Sequence, residues 1–352
     1  MYFLKKILLL PFLYKKQVQN FDFSSVKSIL IRPTGNALGD SIINSVYVTQ
    51  LKMIYPNVRI GMLVTHSNKA VYALNPYLDE MIEQNFSSFL SQRGRWQVLL
   101  DMPDAFNSSK IILDKILAPE FTIIFDKKYK PLLNIQEVRN YDVQVKNLDN
   151  VHNIDFIRHS IFADYFSIPD GRCELKFPNE IPTVLQNIWT KGKFRILLAP
   201  QGSRRLVPVE EIAELLNGIG GGGLIDKVEV ILNYIGKEDD YLKKLQSLIH
   251  SRLEIKSMPK MQLEDYLYFV SSSDLVVGVD SGTVHVACAL NKPLLSFYAN
   301  FQPNIIRWSP KPNDNVANMM LVSLTEGKSS SDTFNFDLQN AISWLNQQIT
   351  KN

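Results

Sequence analysis

The 352-residue chain holds only two cysteines, Cys173 and Cys288, far apart in sequence. That is too few for a disulfide framework or a thiolate metal site, and a reducing compartment is the default. Net charge is also small: 38 Lys and Arg against 35 Asp and Glu leave +3, too weak a field to argue for nucleic acid. No apolar run approaches the ~20 residues that span a bilayer. Disorder and collagen-like repeats are excluded by a composition that is 45% hydrophobic and 11% aromatic. A chain of this length is expected to form two domains.

What is present begins with an unusual N-terminus. The apolar stretch Ile7–Tyr14, interrupted by Pro11, is bracketed by Lys5-Lys6 and Lys15-Lys16. A secretory signal would carry a small-residue cleavage site after its apolar part, and Lys15-Lys16-Gln17 is different chemistry. Two readings stay open. The segment is an extra element packed on the first domain, or an interfacial anchor with lysines on anionic headgroups. The chain is expected to be soluble or peripheral, and cytoplasmic.

Short β-branched runs alternate with longer amphipathic stretches, the pattern of a parallel sheet covered by helices. Strands are expected at Val26–Arg32, Val58–Val64, Trp96–Leu100 and Phe121–Phe125, with helices at Ser41–Tyr55 and Ala70–Leu74. A second set follows a linker near Pro178–Pro182. Its strands are Phe194–Leu198, Val228–Tyr234, Leu275–Val279 and Pro293–Tyr298. Its helices are Val209–Gly218, Asp239–His250, Leu263–Ser271 and Val284–Leu290, with an amphipathic tail at Asp337–Ile349. The domains are therefore placed at 1–178 and 179–352, with the last helix free to pack back on the first. Two successive open α/β units imply a ligand cleft between them, at the carboxyl ends of their strands. The run Gly220–Gly223 follows a helix and precedes a strand, the reverse of a phosphate loop, and reads as a flexible connection.

Three turns each follow a strand and open a helix. In the first, Pro33–Ser41, Asp40 falls where a helix N-cap is expected, which alone explains an Asp. Gly35 and Gly39 beside it, flanking Asn36, allow close backbone approach to a ligand. In the second, Ala199–Pro208, the pair Arg204-Arg205 after Ser203 suits an anionic group, although a solvated basic loop has the same composition. The third runs from an apolar strand into Asp280-Ser281-Gly282-Thr283-Val284-His285. Consecutive N–H groups and two hydroxyls at a helix start form an anion site of the kind diphosphates occupy. Asp280 again has an N-cap alternative, and His285 a core one.

With these motifs in order, the sequence resembles glycosyltransferase family 9, the heptosyltransferases of lipopolysaccharide core assembly. The resemblance covers roughly residues 26 to 310. It rests on Ile29–Arg32, Leu38-Gly39-Asp40, Ile54-Tyr55-Pro56, Ile60–Val64, Asn75-Pro76-Tyr77 and Asp280–His285. It implies a GT-B architecture: two Rossmann-like α/β/α domains facing a central cleft, with the nucleotide-sugar held mainly by the second. It implies an inverting enzyme without metal or other cofactor, and no Asp-x-Asp motif is present.

Carried over by position, Asp40 falls on the general base. Asp280, Ser281, Gly282, Thr283 and His285 fall on the donor-binding turn, and Glu238 on the acidic residue that holds the ribose. Arg204-Arg205 lies where a Lys or Arg approaches the diphosphate; Arg205 keeps the spacing to Pro208 and is assigned to catalysis. The basic loop departs from the family pattern in lacking its tryptophan.

The implied activity moves a heptose from ADP-heptose to the lipopolysaccharide or lipooligosaccharide inner core. Such an enzyme would work at the cytoplasmic face of the inner membrane, in peripheral contact with it. Two alternatives stand beside it. One is a GT-B enzyme using another nucleotide-sugar or a protein acceptor; the other is a non-catalytic binding protein of the same fold.

Overall fold

The computed structural model describes residues 7–105, 107–128, 137–177, 182, 185, 188–220, 223–234, 238–250 and 252–351, with backbone alone at 238 and 239. The chain divides into two compact units, Met1–Lys176 and Phe177–Asn352.

In the first unit the strands are β1 (Ser28–Arg32), β2 (Arg59–Val64), β3 (Glu80–Glu83), β4 (Val98–Asp101), β6 (Phe121–Phe125) and β8 (Val143–Val145). They form one sheet in the order β3-β2-β1-β4-β6-β8, with every pairing parallel. Two short strands, β5 (Asp104–Ala105) and β7 (Lys127–Lys128), pair separately. Helices α1 (Leu38–Ile54), α2 (Lys69–Ala73), α3 (Phe86–Ser91) and α4 (Ser108–Leu117) connect them. Strands covered on both faces carry continuous apolar runs, and every residue of β1, β4 and β6 is buried.

The second unit repeats the plan. Its strands are β9 (Phe194–Ala199), β10 (Val228–Leu232), β11 (Glu254–Ser257), β12 (Leu275–Val279), β13 (Leu294–Asn300) and β14 (Asn318–Glu326). Their order is β11-β10-β9-β12-β13-β14, again all parallel. Its helices are α5 (Val209–Asn217), α6 (Glu238–Leu248), α7 (Leu263–Ser272), α8 (Gly282–Ala289), α9 (Gln302–Trp308) and α10 (Leu338–Lys351). In each sheet the chain runs outward one way from the first strand and the other way from the fourth. The loops after β1 and β4, and those after β9 and β12, therefore flank the two switch points where open α/β sheets bind ligands.

Two expectations need adjusting. The linker falls at 176/177, and most of 178–187 lies outside the described residues. The C-terminal helix α10 does not keep its apolar stripe for the first unit. Leu338, Ala341, Leu345 and Ile349 enter the second unit's core beside Ile212 and Leu216 of α5. Of the glycine run, Gly221 and Gly222 lie outside the described residues, while Gly223 has φ +81° ahead of β10.

At the N-terminus the reading of an element packed on the first unit holds for part of the segment. Residues 1–6 lie outside the described residues. Leu9 and Leu13, flanking a 3-10 turn Leu10–Phe12, are buried with Ile111, Ile124 and Val138 of the first unit. Lys15 pairs with Asp142, and Arg139 donates its backbone N–H to Leu13 O at 2.6 Å. Ile7, Leu8, Leu10 and Tyr14 stay exposed. Among the described residues no helix is long and apolar enough to cross a membrane.

Candidate functional site

The first unit presents Asp40 in the first turn of the helix that follows β1. Helix α1 starts at Leu38 with Ala37 as N-cap, so Asp40 is the third helical residue and not the cap. Its carboxylate accepts the Ala37 N–H at 3.3 Å, the reciprocal half of a capping box. Asn44, one turn on, holds the loop from inside. Its Nδ2 donates to Thr34 O at 3.0 Å and Asp40 O at 2.5 Å, and its Oδ1 accepts the Thr34 N–H at 3.1 Å.

Gly35 has φ +59°, a conformation side chains rarely adopt, and Asp40 lies in the space its side chain would need. Gly39 is buried in the first helical turn. Asn36 accepts a hydrogen bond from Asn68 Nδ2 at 3.3 Å. Burial pushes the Asp40 carboxyl up to about 6, with the charge of Asp104 adding to the rise and the Ala37 N–H opposing it. A carboxylate titrating near 6 is a competent general base at neutral pH.

Beside it, at the carboxyl ends of β1, β4 and β6, lies a buried charge network absent from the sequence expectations. Arg32 Nη2 meets Asp114 Oδ1 at 2.5 Å and Arg32 Nη1 lies 3.4 Å from Asp101 Oδ2. Lys127 Nζ meets Asp101 Oδ2 at 2.9 Å and the Met102 carbonyl at 2.8 Å. Lys110 pairs with Asp104 on the rim. Burial opposes ionisation of Asp104, but Lys110 outweighs it and lowers its pKa. Each charge has an opposite partner, the condition under which burying charge is tolerated. The network anchors the 102–105 loop close enough to Asp40 for Asp104 to act on it.

In the second unit the basic turn after β9 is a tight hairpin. Gly202 N–H donates to Arg205 O at 2.8 Å and Gln201 bridges Leu206. Gly202 also lets this hairpin touch the turn after β12, since a Cβ there would stand 3.0 Å from Asp280 O. Ser203 and Arg204 are exposed at the tip, and Arg204 makes no hydrogen bond or ion pair among the described residues.

Arg205 folds back instead. Its Nε lies 3.0 Å from Asp280 Oδ2 and 3.1 Å from Ser330 O, and its Nη2 donates to Asn304 Oδ1 at 3.1 Å. Asn304 closes the ring by donating Nδ2 to Asp280 Oδ2 at 2.6 Å. Burial raises the Asp280 carboxyl, with Arg205 and Asn304 pulling it back down. The Arg205 assigned to the diphosphate is thus committed to a buried carboxylate that needs a cation.

Ser281, not Asp280, is the N-cap of α8, and its side chain does not cap the helix. Its Oγ is buried without a hydrogen-bond partner among the described residues. A helix start with uncapped N–H groups and a free hydroxyl is an arrangement suited to phosphate. Thr283 offers less than expected, because its hydroxyl shares a 2.6 Å hydrogen bond with Tyr266, which also accepts from Asn233 Nδ2 at 2.9 Å. His285 is buried, its ring 5.7 Å from that of Trp308.

The Glu238 side chain lies outside the described residues, although its backbone opens α6 just past the carboxyl end of β10. Among the described residues no three His, Cys, Asp or Glu side chains gather as a metal site. Asn304, Tyr266 and Asn233 were missed by sequence reasoning. Asn304 lies 24 positions from its carboxylate partner and belongs to no linear motif.

The profile of glycosyltransferase family 9 (heptosyltransferase) matches residues 92–335. A Campylobacter coli protein named lipopolysaccharide heptosyltransferase 1 is 25% identical over 75% of this chain and 81% of its own. The solved Escherichia coli ADP-heptose lps heptosyltransferase II is similar over 92% of this chain and 99% of its own, at 18% identity and a TM-score of 0.67. Escherichia coli heptosyltransferase WaaC, solved with ADP, gives 15% identity, the same coverage and a TM-score of 0.63. These likenesses agree with two Rossmann-like domains in the GT-B manner.

Proposed function

The chain belongs to glycosyltransferase family 9, and on that premise we propose that it transfers a heptose from ADP-heptose to a lipopolysaccharide or lipooligosaccharide inner core, with inversion and without a metal. The observation that carries the chemistry is Asp40, a carboxyl raised to about 6 at the switch point of the first sheet. The donor assignment draws support from the related enzyme solved with ADP and from the uncapped start of α8.

In the step proposed, the acceptor hydroxyl oxygen attacks the anomeric carbon and its proton passes to Asp40. The bond to the diphosphate breaks on the opposite face, and ADP leaves with the electron pair. Charge on the departing diphosphate is met by the first N–H groups of α8, Ser281 Oγ and Arg204. Arg205 holds Asp280, and through it the turn, in place. Donors positioned before charge develops stabilise the transition state without reorganisation. Because a core-oligosaccharide acceptor is lipid-anchored, the enzyme acts at the cytoplasmic face of the inner membrane.

A thermal-shift panel of nucleotides tests the donor assignment. A ligand bound only by the folded state raises stability by RT ln(1 + [L]/Kd). ADP is expected to raise the Tm more than UDP, GDP or CMP at equal concentration, with EDTA making no difference. Preference for UDP would redirect the reading to another nucleotide-sugar.

A further inference from the structure

We propose that one face of the first unit, formed by the Leu10–Phe12 turn, α4 and α3, docks on an anionic lipid bilayer. The purpose of this surface rests on the lipid-linked acceptor proposed above; its grounds are the side chains themselves. Helix α4 packs against α3 and against the N-terminal turn. All three bury one side toward the sheet. Leu9, Leu13 and Ile111 share one apolar cluster with Ile124, and Phe89 and Leu117 share another with Leu99.

The outward side carries exposed Ser87, Ser91 and Ser109, but more large apolar side chains than a solvated helical layer would. Ile7, Leu8, Leu10 and Tyr14 on the turn, with Phe86 and Leu90 one turn apart on α3, have exposures from 45% to 66%. Ile112, Leu113 and Ile116 of α4 are half-buried. Large exposed apolar side chains on both sides of α4 mark a surface that something covers.

Charge identifies what covers it. Lys16, Lys115 and Arg93 are exposed around this face, and none has an ion-pair partner among the described residues. Lys115 Nζ donates to Tyr14 O at 3.3 Å, and Arg93 Nη1 to Ile116 O at 2.8 Å, so both cations sit at the patch. Of the nearby acids, Asp114 and Asp142 are turned inward onto Arg32 and Lys15, while Glu120 just past α4, Glu137 beside Val138 and Glu83 ahead of α3, paired with Lys69, stay exposed. Apolar side chains inside a margin of unpaired cations match a leaflet of acyl chains under phosphate headgroups. The N-terminal segment is then one edge of a larger surface, its buried leucines fixing it to α4.

The test is flotation of the full chain with phosphatidylcholine vesicles, with or without phosphatidylglycerol, at low and high salt, in the absence of donor and acceptor. Wild type is expected to float with the anionic vesicles, several-fold less with the neutral ones, and less at high salt. The Phe86→Ser/Leu90→Ser variant is expected to lose at least fivefold in partitioning with an unchanged Tm, since both side chains are exposed. Leu8→Ser/Leu10→Ser is expected to do the same. Flotation of the α3 variant equal to wild type overturns the proposal and leaves the N-terminal segment as the sole contact. Wild type that stays in the aqueous phase overturns it too, and self-association there would assign the patch to a second copy of the chain. Either result leaves ADP stabilisation measurable, so failure of the surface and failure of the transferase reading are distinct.

Discussion

A Cβ built on Gly35 falls 2.0 Å from Oδ2 of Asp40, so the carboxylate occupies the place of the side chain that Gly35 lacks. Gly35→Ala adds the strain of φ +59°, about 1–2 kcal/mol, and drives the carboxylate off the Ala37 N–H. The expected outcome is a folded protein with turnover reduced tenfold or more and an unchanged Tm shift with ADP. Gly223→Ala is the control: φ is +81° there, but nothing lies within 4 Å of the added carbon, so strain appears without loss of turnover.

Asp40→Asn is expected to lower turnover by roughly 10²–10⁴, the usual contribution of a general base, while ADP still raises the Tm. In the wild type, kcat/KM should fall below about pH 6 as the carboxyl protonates. The stability effect has the opposite sign. A carboxyl whose folded pKa is raised binds its proton more tightly in the folded state, so its contribution is favourable at low pH and is lost as pH rises through about 6. Asn removes that penalty. The variant should melt higher than wild type at pH 7–8, by an amount worth about 1–3 kcal/mol, and lose the advantage below pH 4. Near wild-type turnover would make Asp40 a helix-capping residue alone.

The two adjacent arginines are expected to fail differently. Arg204→Ala should leave the Tm unchanged and weaken ADP binding about tenfold, the loss of one charge-assisted hydrogen bond. Arg205→Ala removes the cation from buried Asp280 and should lower stability by up to about 3–5 kcal/mol. Melting curves with and without ADP separate the two effects. If Arg205→Ala keeps its Tm and loses ADP, the assignments exchange.

Asn304→Asp places a second carboxylate against Asp280, replacing the 2.6 Å hydrogen bond. Like charges this close do not both ionise, so one holds its proton to higher pH. ADP stabilisation by this variant should approach wild type near pH 5 and decline toward pH 8, whereas wild type changes little. A pH-independent loss would assign Asn304 to packing.

The apolar strands next to the switch points, the helices that follow them and the Asp280–His285 turn are visible in the linear pattern. Local physics governs them: buried parallel strands are continuous apolar runs, and strand-to-helix turns need small or capping residues. The outer elements were not visible. β3 reads Glu-Met-Ile-Glu with a single buried residue, and α3 is a serine-rich helix of six residues, too short for a helical period to show.

What an individual charge does was decided by contacts distant in sequence. Spacing to Pro208 put Arg205 ahead of Arg204 for the diphosphate, yet it is Arg205 that lies within reach of Asp280 and Asn304. Asp40 looked like an N-cap until the helix began two residues before it and left its carboxylate beside the Ala37 N–H and within the influence of Asp104. Leu9 and Leu13 differ from Leu8 and Leu10 only in which side of one 3-10 turn they face. Periodicity records how a segment pairs with itself. The pKa of a carboxylate, the partner of a guanidinium and the exposure of a leucine depend on which segments fold beside it.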